Sequence, residues 1–404
     1  MVTAPIATDH WRALFHRAAV ANAQYWLQIF QTPPSQVAIT PVNYAGVSKA
    51  ISAALELEEA WRWGSDLART FHNLARRQGA YWTEWLDCLT HWSQKSEEQQ
   101  EPAVRARALM YTGEIHERRG EWATAEHHFQ AALRLFENCE DAVGRGQTLI
   151  NLSQVYRLQR KYDVAEAFCR QALNLFEELD DPKRIATVYN NLGLIYRDQG
   201  QSEQALGQFE LAYDLGRQSG TPYLLADVCM NLGTIYRRLS LPQKAIEYLE
   251  QAIELYQETG DAIHQAMTRM GLGNVYLNLS QLEQAERSYL QAEKTLQQSQ
   301  SRLEQAQVYH NLGMVYVEKR DWIQAQVCLE RAVNTWRKLG QARGLVNSLD
   351  SLGELFIKTG EESQARKVLS AALEILDRSS QTPAMEALRR MVTGRLGELD
   401  QKTQ

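Results

Sequence analysis

Residues 191–200 read NLGLIYRDQG, and residues 231–240, 40 positions later, read NLGTIYRRLS. The same segment recurs at this spacing seven times, without insertion or deletion. Its opening residues are Tyr111-Thr-Gly, Asn151-Leu-Ser, Asn191-Leu-Gly, Asn231-Leu-Gly, Gly271-Leu-Gly, Asn311-Leu-Gly and Ser351-Leu-Gly. A fixed period of this length is typical of stacked-repeat solenoids, in which each unit buries its apolar face only against its neighbours. We therefore expect a surface for binding rather than a catalytic cleft.

Each repeat carries the pattern of two amphipathic helices, which in the third repeat we predict at about 184–199 and 202–218. Asp181-Pro182 and Thr221-Pro222 each place a capping side chain before a proline at the first helical position. Gly200 is expected to end the first helix. The turn that follows is short, so the two helices should be antiparallel neighbours.

Small residues recur inside each predicted helix pair. Glycine stands within the first helix, where it costs about 1 kcal/mol relative to alanine. The second helix has two alanines seven residues apart in every repeat, as in Ala205 and Ala212. We expect the glycine, such as Gly193, to face the first alanine, so that the two backbones approach closely. A tyrosine at the position of Tyr196 should then fill the remaining space.

The order Leu-Gly, Tyr three residues later, Ala nine further on and Ala seven beyond resembles the tetratricopeptide repeat (TPR), over about residues 102–380. The resemblance implies an all-α fold, a right-handed α-solenoid of seven antiparallel helix pairs. The usual TPR period is about 34 residues, so the period of 40 predicts longer helices. The second repeat carries Ser153 and Cys169 where others have glycine and a bulky residue, which fits a capping role for the outer repeats.

Residues 1–101 do not follow the repeat and hold seven of the ten tryptophans. We predict helices at about 9–31, 48–63, 66–78 and 80–94, with a loop over 32–47, and expect them to pack on the first repeat. The tryptophans are expected to serve packing more than ligand binding. They are Trp11, Trp26, Trp61, Trp63, Trp82, Trp85 and Trp92.

This region has Tyr25-Trp26-Leu27, then Ala60-Trp61-Arg62-Trp63, then residues 78–86 with the sequence QGAYWTEWL. The order is similar to the N-terminal helical arm of the MalT-like TPR regions of STAND-type regulators. The sequence thus predicts three parts: a Trp-rich helical region (1–101), seven repeats (102–380), and a C-terminal capping helix and tail (381–404). Thr382-Pro383 should begin that helix.

The composition argues against several classes of function. The net charge is −6, and a basic stripe is missing, which disfavours nucleic acid as a partner. Because no apolar run approaches about 20 residues and no signal segment is present, we expect neither a membrane span nor export, and hence a cytoplasmic protein. The five cysteines lie far apart without a Cys-x-x-Cys pair, which predicts free thiols and no metal. Catalytic groupings and phosphate loops do not occur, so we expect no enzyme and no cofactor.

The repeat register predicts the binding residues. In TPR solenoids the first helix of each pair lines the concave face, which would place Asn151, Asn191, Asn231 and Asn311 in one row. A second row contains Arg157, Arg197 and Arg237, and gives way to Leu277, Val317 and Ile357 in later repeats. Asparagine amides can bind an extended peptide backbone, and arginines can hold carboxylates. Asn274 and Met314 complete the predicted contact set, Met314 as an adaptable apolar side chain. Alternatively, the asparagines only tie one repeat to the next and the arginines only solubilise the face.

We expect a non-enzymatic interaction scaffold or adaptor that binds an extended peptide or a partner helix, with an acidic and an apolar part, in the concave groove. An alternative is a peptide-gated cytoplasmic regulator that resembles the Rap-type receptors, whose N-terminal helices move when peptide binds. A homodimer is left open. An accessory enzyme ranks last, because the sequence shows no convergent titratable groups.

Overall fold

The structure is a computed structural model that describes residues 8–30, 41–78, 82–297, 301–379 and 382–402. These residues form an all-α solenoid of seven helix pairs, with helices before and after them, as the sequence predicts. The helices are α1 (Thr8–Phe30), α2 (Pro41–Leu55), α3 (Trp61–Gln78), α4 (Trp82–Glu98), α5 (Pro102–Arg118), α6 (Trp122–Asn138), α7 (Ala142–Leu158), α8 (Tyr162–Glu178), α9 (Pro182–Asp198), α10 (Ser202–Gln218), α11 (Pro222–Arg238), α12 (Pro242–Thr259), α13 (Ala262–Asn278), α14 (Leu282–Leu296), α15 (Arg302–Glu318), α16 (Trp322–Leu339), α17 (Ala342–Thr359), α18 (Glu362–Arg378) and α19 (Pro383–Lys402).

We call the odd-numbered helices α5 to α17 the A helices and the even-numbered helices α6 to α18 the B helices. The chain divides into two compact units within α12. The first unit extends to Leu241 and includes Glu254–Asp261, and the second comprises Pro242–Ile253 and the chain from Ala262 onward. This division follows contacts in space, and the three-part organisation read from the sequence stays a prediction.

Left-handed residues separate the helices at intervals of 20. From Gln100 to Gly360, each twentieth residue that the structure describes has a positive φ. Gly200, with φ of +83°, ends α9 as predicted. The N–H of Gln201 donates to the carbonyl of Tyr196 at 2.9 Å, a bond typical of the Schellman motif. The regular turns keep equivalent residues of successive repeats on equivalent helix faces.

The two predicted caps differ. Asp181 accepts a hydrogen bond from the N–H of Arg184 at 3.0 Å, which confirms the cap of α9. Thr221 makes no side-chain cap bond to α11, so that prediction is wrong. Its hydroxyl donates to the carbonyl of Ser219 at 3.5 Å instead.

The helical glycines face large side chains rather than alanines, which corrects the prediction. A Cβ added to Gly193 would lie 2.5 Å from Cε1 of Phe209, four residues after Ala205 on the B helix. Gly273 lies against Tyr289 in the same way. The glycine is needed because the ring of the B helix fills the space where its side chain would be.

The tyrosines of the A helices connect neighbouring repeats instead of merely filling gaps. The hydroxyl of Tyr196 donates to Oε1 of Glu166 on the preceding B helix at 2.7 Å. Tyr156 donates to Glu126 at 2.7 Å in the same arrangement. The hydrogen bond to the carboxylate of Glu126, followed by partial desolvation of the hydroxyl, raises the pKa of Tyr156 to about 12.

The N-terminal helices share one hydrophobic core with the first two repeats, which confirms that they pack on the first repeat. Trp85 and Trp92 are among its largest buried side chains, whereas Trp63 is exposed. The side chains of Trp11 and Trp82 lie outside the described residues.

Three predicted helix boundaries in this region are wrong by five residues or more: both ends of α2, and the start of α3, which is Trp61 rather than residue 66. Helix α2 covers Pro41–Leu55 rather than 48–63, and its first part lies within the predicted loop. A turn over 56–60 separates it from α3, with the N–H of Ala60 bonded to the carbonyl of Leu57 at 3.0 Å. No glycine or proline marks this turn in the sequence, whereas Pro41 suits a first helical position.

Helix α19 covers the last repeat, as predicted. The N–H of Met385 donates to the hydroxyl of Thr382 at 3.3 Å, which caps the helix. Met385, Val392 and Leu399 are buried in the core that α17 and α18 contribute to. Arg395 forms ion pairs with two carboxylates of α17, Asp350 at 3.0 Å and Glu354 at 2.6 Å.

Candidate functional site

The candidate site lies on the A helices of the first unit. Helices α5, α7, α9 and α11 contact one another in order. Because the repeat has a constant length, residues 40 positions apart lie on the same face of successive A helices. The predicted asparagine and arginine rows of repeats two to four therefore share one surface, which we call the A face. Its central asparagines are Asn151, Asn191 and Asn231.

The asparagines of the A face are largely buried and bonded within the chain. Their exposed fractions are 8% for Asn151, 6% for Asn191 and 5% for Asn231. The amide of Asn231 donates to Oδ1 of Asn190 on α9 at 2.9 Å, and that of Asn151 donates to Oε1 of Glu114 on α5 at 3.2 Å. Asn191 donates to the carbonyl of Thr187 at 2.8 Å. Two of the three amides thus connect neighbouring A helices, which leaves their role toward a partner a prediction.

Two arginines of the A face converge on one carboxylate. Arg157 of α7 donates through Nη1 to Asp198, and Arg197 donates to Oδ1 of Asp198 through Nη2 at 2.8 Å and Nε at 3.0 Å. Burial on its own would raise the pKa of Asp198, but the two guanidinium groups outweigh it and hold that pKa below its usual value. Arg197 also reaches Oδ1 of Asn231 at 3.5 Å. The charges of repeats two and three are therefore partly compensated inside the protein.

The third arginine of the A face, Arg237 on α11, is not paired in this way within the described part of the chain. Among the described residues, neither Arg237 nor its neighbour Arg238 has a carboxylate within ion-pair distance. Arg238 is exposed and donates through Nη1 to the carbonyl of Arg197 at 3.0 Å. The end of the A face on α11 therefore carries the least compensated positive charge.

The opposite end of the A face is acidic. Glu114 and Glu117 lie one turn apart on α5, and the amide of Gln154 donates to Oε1 of Glu117 at 2.7 Å. Glu114 lies 3.1 Å from Nε2 of His72 on α3, as well as accepting from Asn151. Burial, and then the charge of Glu114, raise the pKa of Glu117 to about 7. The A face thus changes from acidic on α5 to basic on α11.

Glu117→Gln tests this environment through the pH dependence of stability. Burial raises the pKa of Glu117 to about 7 in the folded protein, whereas the carboxyl of an ordinary glutamate has a pKa of 4.5. The folded state therefore binds more protons than the unfolded chain between these values, so wild-type stability falls as pH rises through this range. We expect the variant to match the wild type near pH 4.5 and to be more stable by about 3 kcal/mol at pH 8. Urea unfolding across this range measures it.

The control for this experiment is Glu137→Gln, which removes an exposed carboxylate of α6. Its stability profile should run parallel to that of the wild type. A constant difference between Glu117→Gln and the wild type at every pH would contradict the expectation.

In the second unit, the predicted contact residues are hydrogen-bonded or at least half-buried within the protein. Oδ1 of Asn274 accepts a hydrogen bond from the hydroxyl of Tyr289 at 2.6 Å. Asn311 and Met314 are half-buried, and Val317 lies in the hydrophobic core. Their contact with a partner stays a prediction.

Sequence reasoning missed Asp198, Asn190, Glu114 and Glu117. For two of them a signal was available: Asn190 stands where most other repeats carry an apolar residue, and Glu117 stands where the others carry arginine or an apolar residue. Over the described residues, groups of His, Cys, Asp or Glu placed to hold a metal ion do not occur. Within the same residues, no helix has the length and apolar character that crossing a membrane requires.

Comparison with protein families decides the classification. The model of the family described as Tetratricopeptide repeat matches residues 104–178, 144–218, 224–298 and 304–378, which together make up more than half of the chain. The chain belongs to the tetratricopeptide repeat family. Comparison of this TPR protein with curated protein sequences gave no match.

Solved structures with the same fold include regulatory TPR proteins. A Rap protein complexed with Competence and Sporulation Factor aligns with a TM-score of 0.58 at 14% identity, over 90% of this chain and 98% of that one. The apo form of the quorum sensor NprR from B. thuringiensis aligns with a TM-score of 0.58 at 16% identity, over 89% and 99%. At these identities the similarity concerns the fold.

A third structure bears on the N-terminal resemblance. It is a STAND protein with a tetratricopeptide repeat sensor from Pyrococcus horikoshii, with a TM-score of 0.61 at 15% identity. The alignment covers 94% of this TPR protein and 55% of the STAND protein. The expected likeness to the TPR regions of STAND-type regulators is confirmed at the level of the fold.

Proposed function

We propose that this TPR protein is a non-enzymatic interaction scaffold that holds an extended, partly acidic segment of a protein partner on the A face. Stacked repeats characteristically provide such binding surfaces. The observation that carries the proposal is the basic end of the A face, where Arg237 and Arg238 have no carboxylate partner among the described residues. A guanidinium in this state is well suited to bind a carboxylate of a partner.

The rest of the A face supports an extended segment rather than a compact ligand. Leu194 and Thr234 are half-buried and alternate with the polar network along α9 and α11. A strand laid across the A helices would meet apolar, amide and guanidinium groups in turn. Three further points stay predictions: that the partner segment has an apolar part, that the protein is cytoplasmic, and that it forms a homodimer.

Capture of partners from cell extract tests the proposal. We would compare the wild type with Arg237→Ala/Arg238→Ala, identify bound proteins by mass spectrometry, and then measure binding of synthetic segments of each candidate. We expect the double variant to bind at least tenfold more weakly, because two charge-assisted contacts are lost. Arg134→Ala is the matched control, since Arg134 is an exposed arginine on the B helix α6.

The capture experiment distinguishes a partner that binds on the A face from one that binds elsewhere. Loss of one partner in the double variant alone, with unchanged circular dichroism, supports the A face as the binding surface. Equal capture by all three proteins contradicts the proposal and directs attention to the Trp-rich N-terminal helices.

A peptide-gated regulator similar to the Rap-type receptors is the second candidate. One chain of contacts favours it: Asn151 donates to Glu114, which lies 3.1 Å from His72, and His72 accepts from the indole N–H of Trp85 at 3.1 Å. A ligand at Asn151 would thus act on helices α3 and α4. If peptide binding leaves hydrogen exchange in α1 to α4 unchanged, this candidate is wrong.

A further inference from the structure

We propose that Asp198 is an internal ligand of the A face: it occupies a carboxylate site between Arg157 and Arg197, and so directs a partner's acidic group to Arg237 and Arg238. This inference rests on the proposed function and makes it more specific. It names Asp198 as the residue that determines where along the A face an acidic segment binds, and how many carboxylates it can present.

The geometry around Asp198 is that of a bound carboxylate. One oxygen accepts from Arg157, which belongs to the neighbouring repeat, and the other accepts from Arg197 at 2.8 Å and 3.0 Å. Guanidinium groups from two sides that use both oxygens are the arrangement expected for recognition of a carboxylate. Here the carboxylate is supplied by the protein itself, from the last residue of α9.

The two arginines retain donors beyond those that Asp198 uses. The side chain of Arg157 is 11% exposed, and its Nε is buried without an acceptor among the described residues. A buried donor without an acceptor is costly, so Asp198 does not satisfy the guanidinium of Arg157 completely. The site therefore has more hydrogen-bonding capacity than one aspartate fills.

Asp198 is an exception at its position in the repeat. The equivalent residues of the other repeats in the first unit are Arg118, Leu158 and Arg238, none of which is acidic. Within the first unit, an acidic residue stands at this position only in the third repeat, where Arg157 and Arg197 bond it. In the second unit, Glu318 is also acidic, but the arginine row has ended there. Among the described residues, only Arg157 and Arg197 bond the carboxylate of Asp198, and Arg238 donates to the carbonyl of Arg197 instead, so guanidinium groups outnumber the carboxylate in this region.

The inference predicts the spacing of carboxylates that a variant would accept. Neighbouring helices pack about 8 to 10 Å apart, and an extended peptide advances about 3.3 Å per residue. One repeat therefore corresponds to about three peptide residues. With Asp198 neutralised, the site between Arg157 and Arg197 should bind a second carboxylate three residues from the one at Arg237 and Arg238.

The test uses labelled decapeptides of Gly, Ser and Asn that contain no glutamate, one glutamate, or two glutamates in the order Glu-x-x-Glu. Binding to wild-type protein, Asp198→Asn and Asp198→Leu is measured by fluorescence anisotropy at low salt. The second repeat carries leucine at the equivalent position, Leu158. Asp198→Leu therefore removes the charge with a side chain that another repeat of this chain has at the same place.

We expect the wild type to bind the one-glutamate and two-glutamate peptides about equally. Both variants should bind the two-glutamate peptide about tenfold more tightly than the wild type does, with little change for the one-glutamate peptide. The gain should disappear in Arg157→Ala/Asp198→Asn, and should shrink as salt is added. Circular dichroism confirms that each variant is folded at the measuring temperature.

Other outcomes overturn the inference in distinguishable ways. Equal or weaker binding of both peptides by the folded variants means that Asp198 is only a structural ion pair, while the proposed function stands if Arg237→Ala still weakens wild-type binding. Binding of none of the glutamate peptides by any protein overturns both the acidic segment of the proposed function and this inference.

Discussion

Replacing Gly193 by serine and Phe209 by cysteine together is expected to cost much less stability than the two single changes would suggest. Gly193→Ser alone pushes a side chain into the ring of Phe209, since a Cβ would lie 2.5 Å from it. Overpacking of this kind costs about 2 kcal/mol. Phe209→Cys alone leaves a cavity and costs about 3 kcal/mol.

The second repeat shows why the pair should be compatible. There Ser153 and Cys169 occupy the same two positions, both buried, with Oγ and Sγ 3.0 Å apart. The double variant reproduces this combination in the third repeat, so we expect a favourable coupling of about 2 kcal/mol between the two changes. Urea unfolding of the four proteins measures it.

Gly207→Ser is the matched control, because Gly207 lies on α10 with nothing within 4 Å of the position of its Cβ. This change should be neutral or slightly stabilising, since serine is a better helix former than glycine. If the stability losses of the two single variants simply add in the double variant, the ring of Phe209 is not the reason why glycine stands at position 193.

Removing residues 380–404 is expected to have the largest effect on stability. Helix α19 buries Met385, Val392 and Leu399 against the last repeat. At about 2 kcal/mol for each of these three buried side chains, the loss amounts to about 6 kcal/mol. Because stability in a repeat array depends on neighbouring units, we expect the damage to be concentrated in α17 and α18, with lower solubility and melting temperature.

Hydrogen exchange locates this effect. Amides of α17 and α18 should lose protection in the truncated protein, while those of α5 to α10 keep it. Arg395→Ala should cause a smaller change, since it removes only the ion pairs with Asp350 and Glu354. Arg390→Ala, an exposed arginine on the same helix, is the control. Unchanged melting after truncation at Ser380 would contradict the capping role.

Much of the candidate site could be placed from the sequence because the period is constant. A residue and its equivalent 40 positions later must lie on the same face of successive helices, so Asn151, Asn191 and Asn231 form a row in the structure as expected. The bonds of these residues could not be placed. Whether Asn231 meets Asn190 or a partner depends on distances between helices, which a single repeat does not contain.

The glycines illustrate the same limit. Their recurrence within a helix indicated a close approach, since glycine there is unfavourable without compensation. The residue approached, Phe209 rather than Ala205 for Gly193, depends on how far the two helices are rotated about their axes. That rotation is set by packing of the whole pair.

The sequence by itself determined the helix pairs of the repeats, the end of α9 at Gly200 and the family, because these follow from local propensities repeated at a constant interval. Only the tertiary structure decided that Asp198 joins Arg157 to Arg197, that Glu117 stays protonated to a pH of about 7, and that Arg237 has no carboxylate beside it in the described chain. The physical reason is that charge pairing and desolvation depend on distances of a few ångströms between side chains from different repeats. Those distances exist only once the helices are stacked.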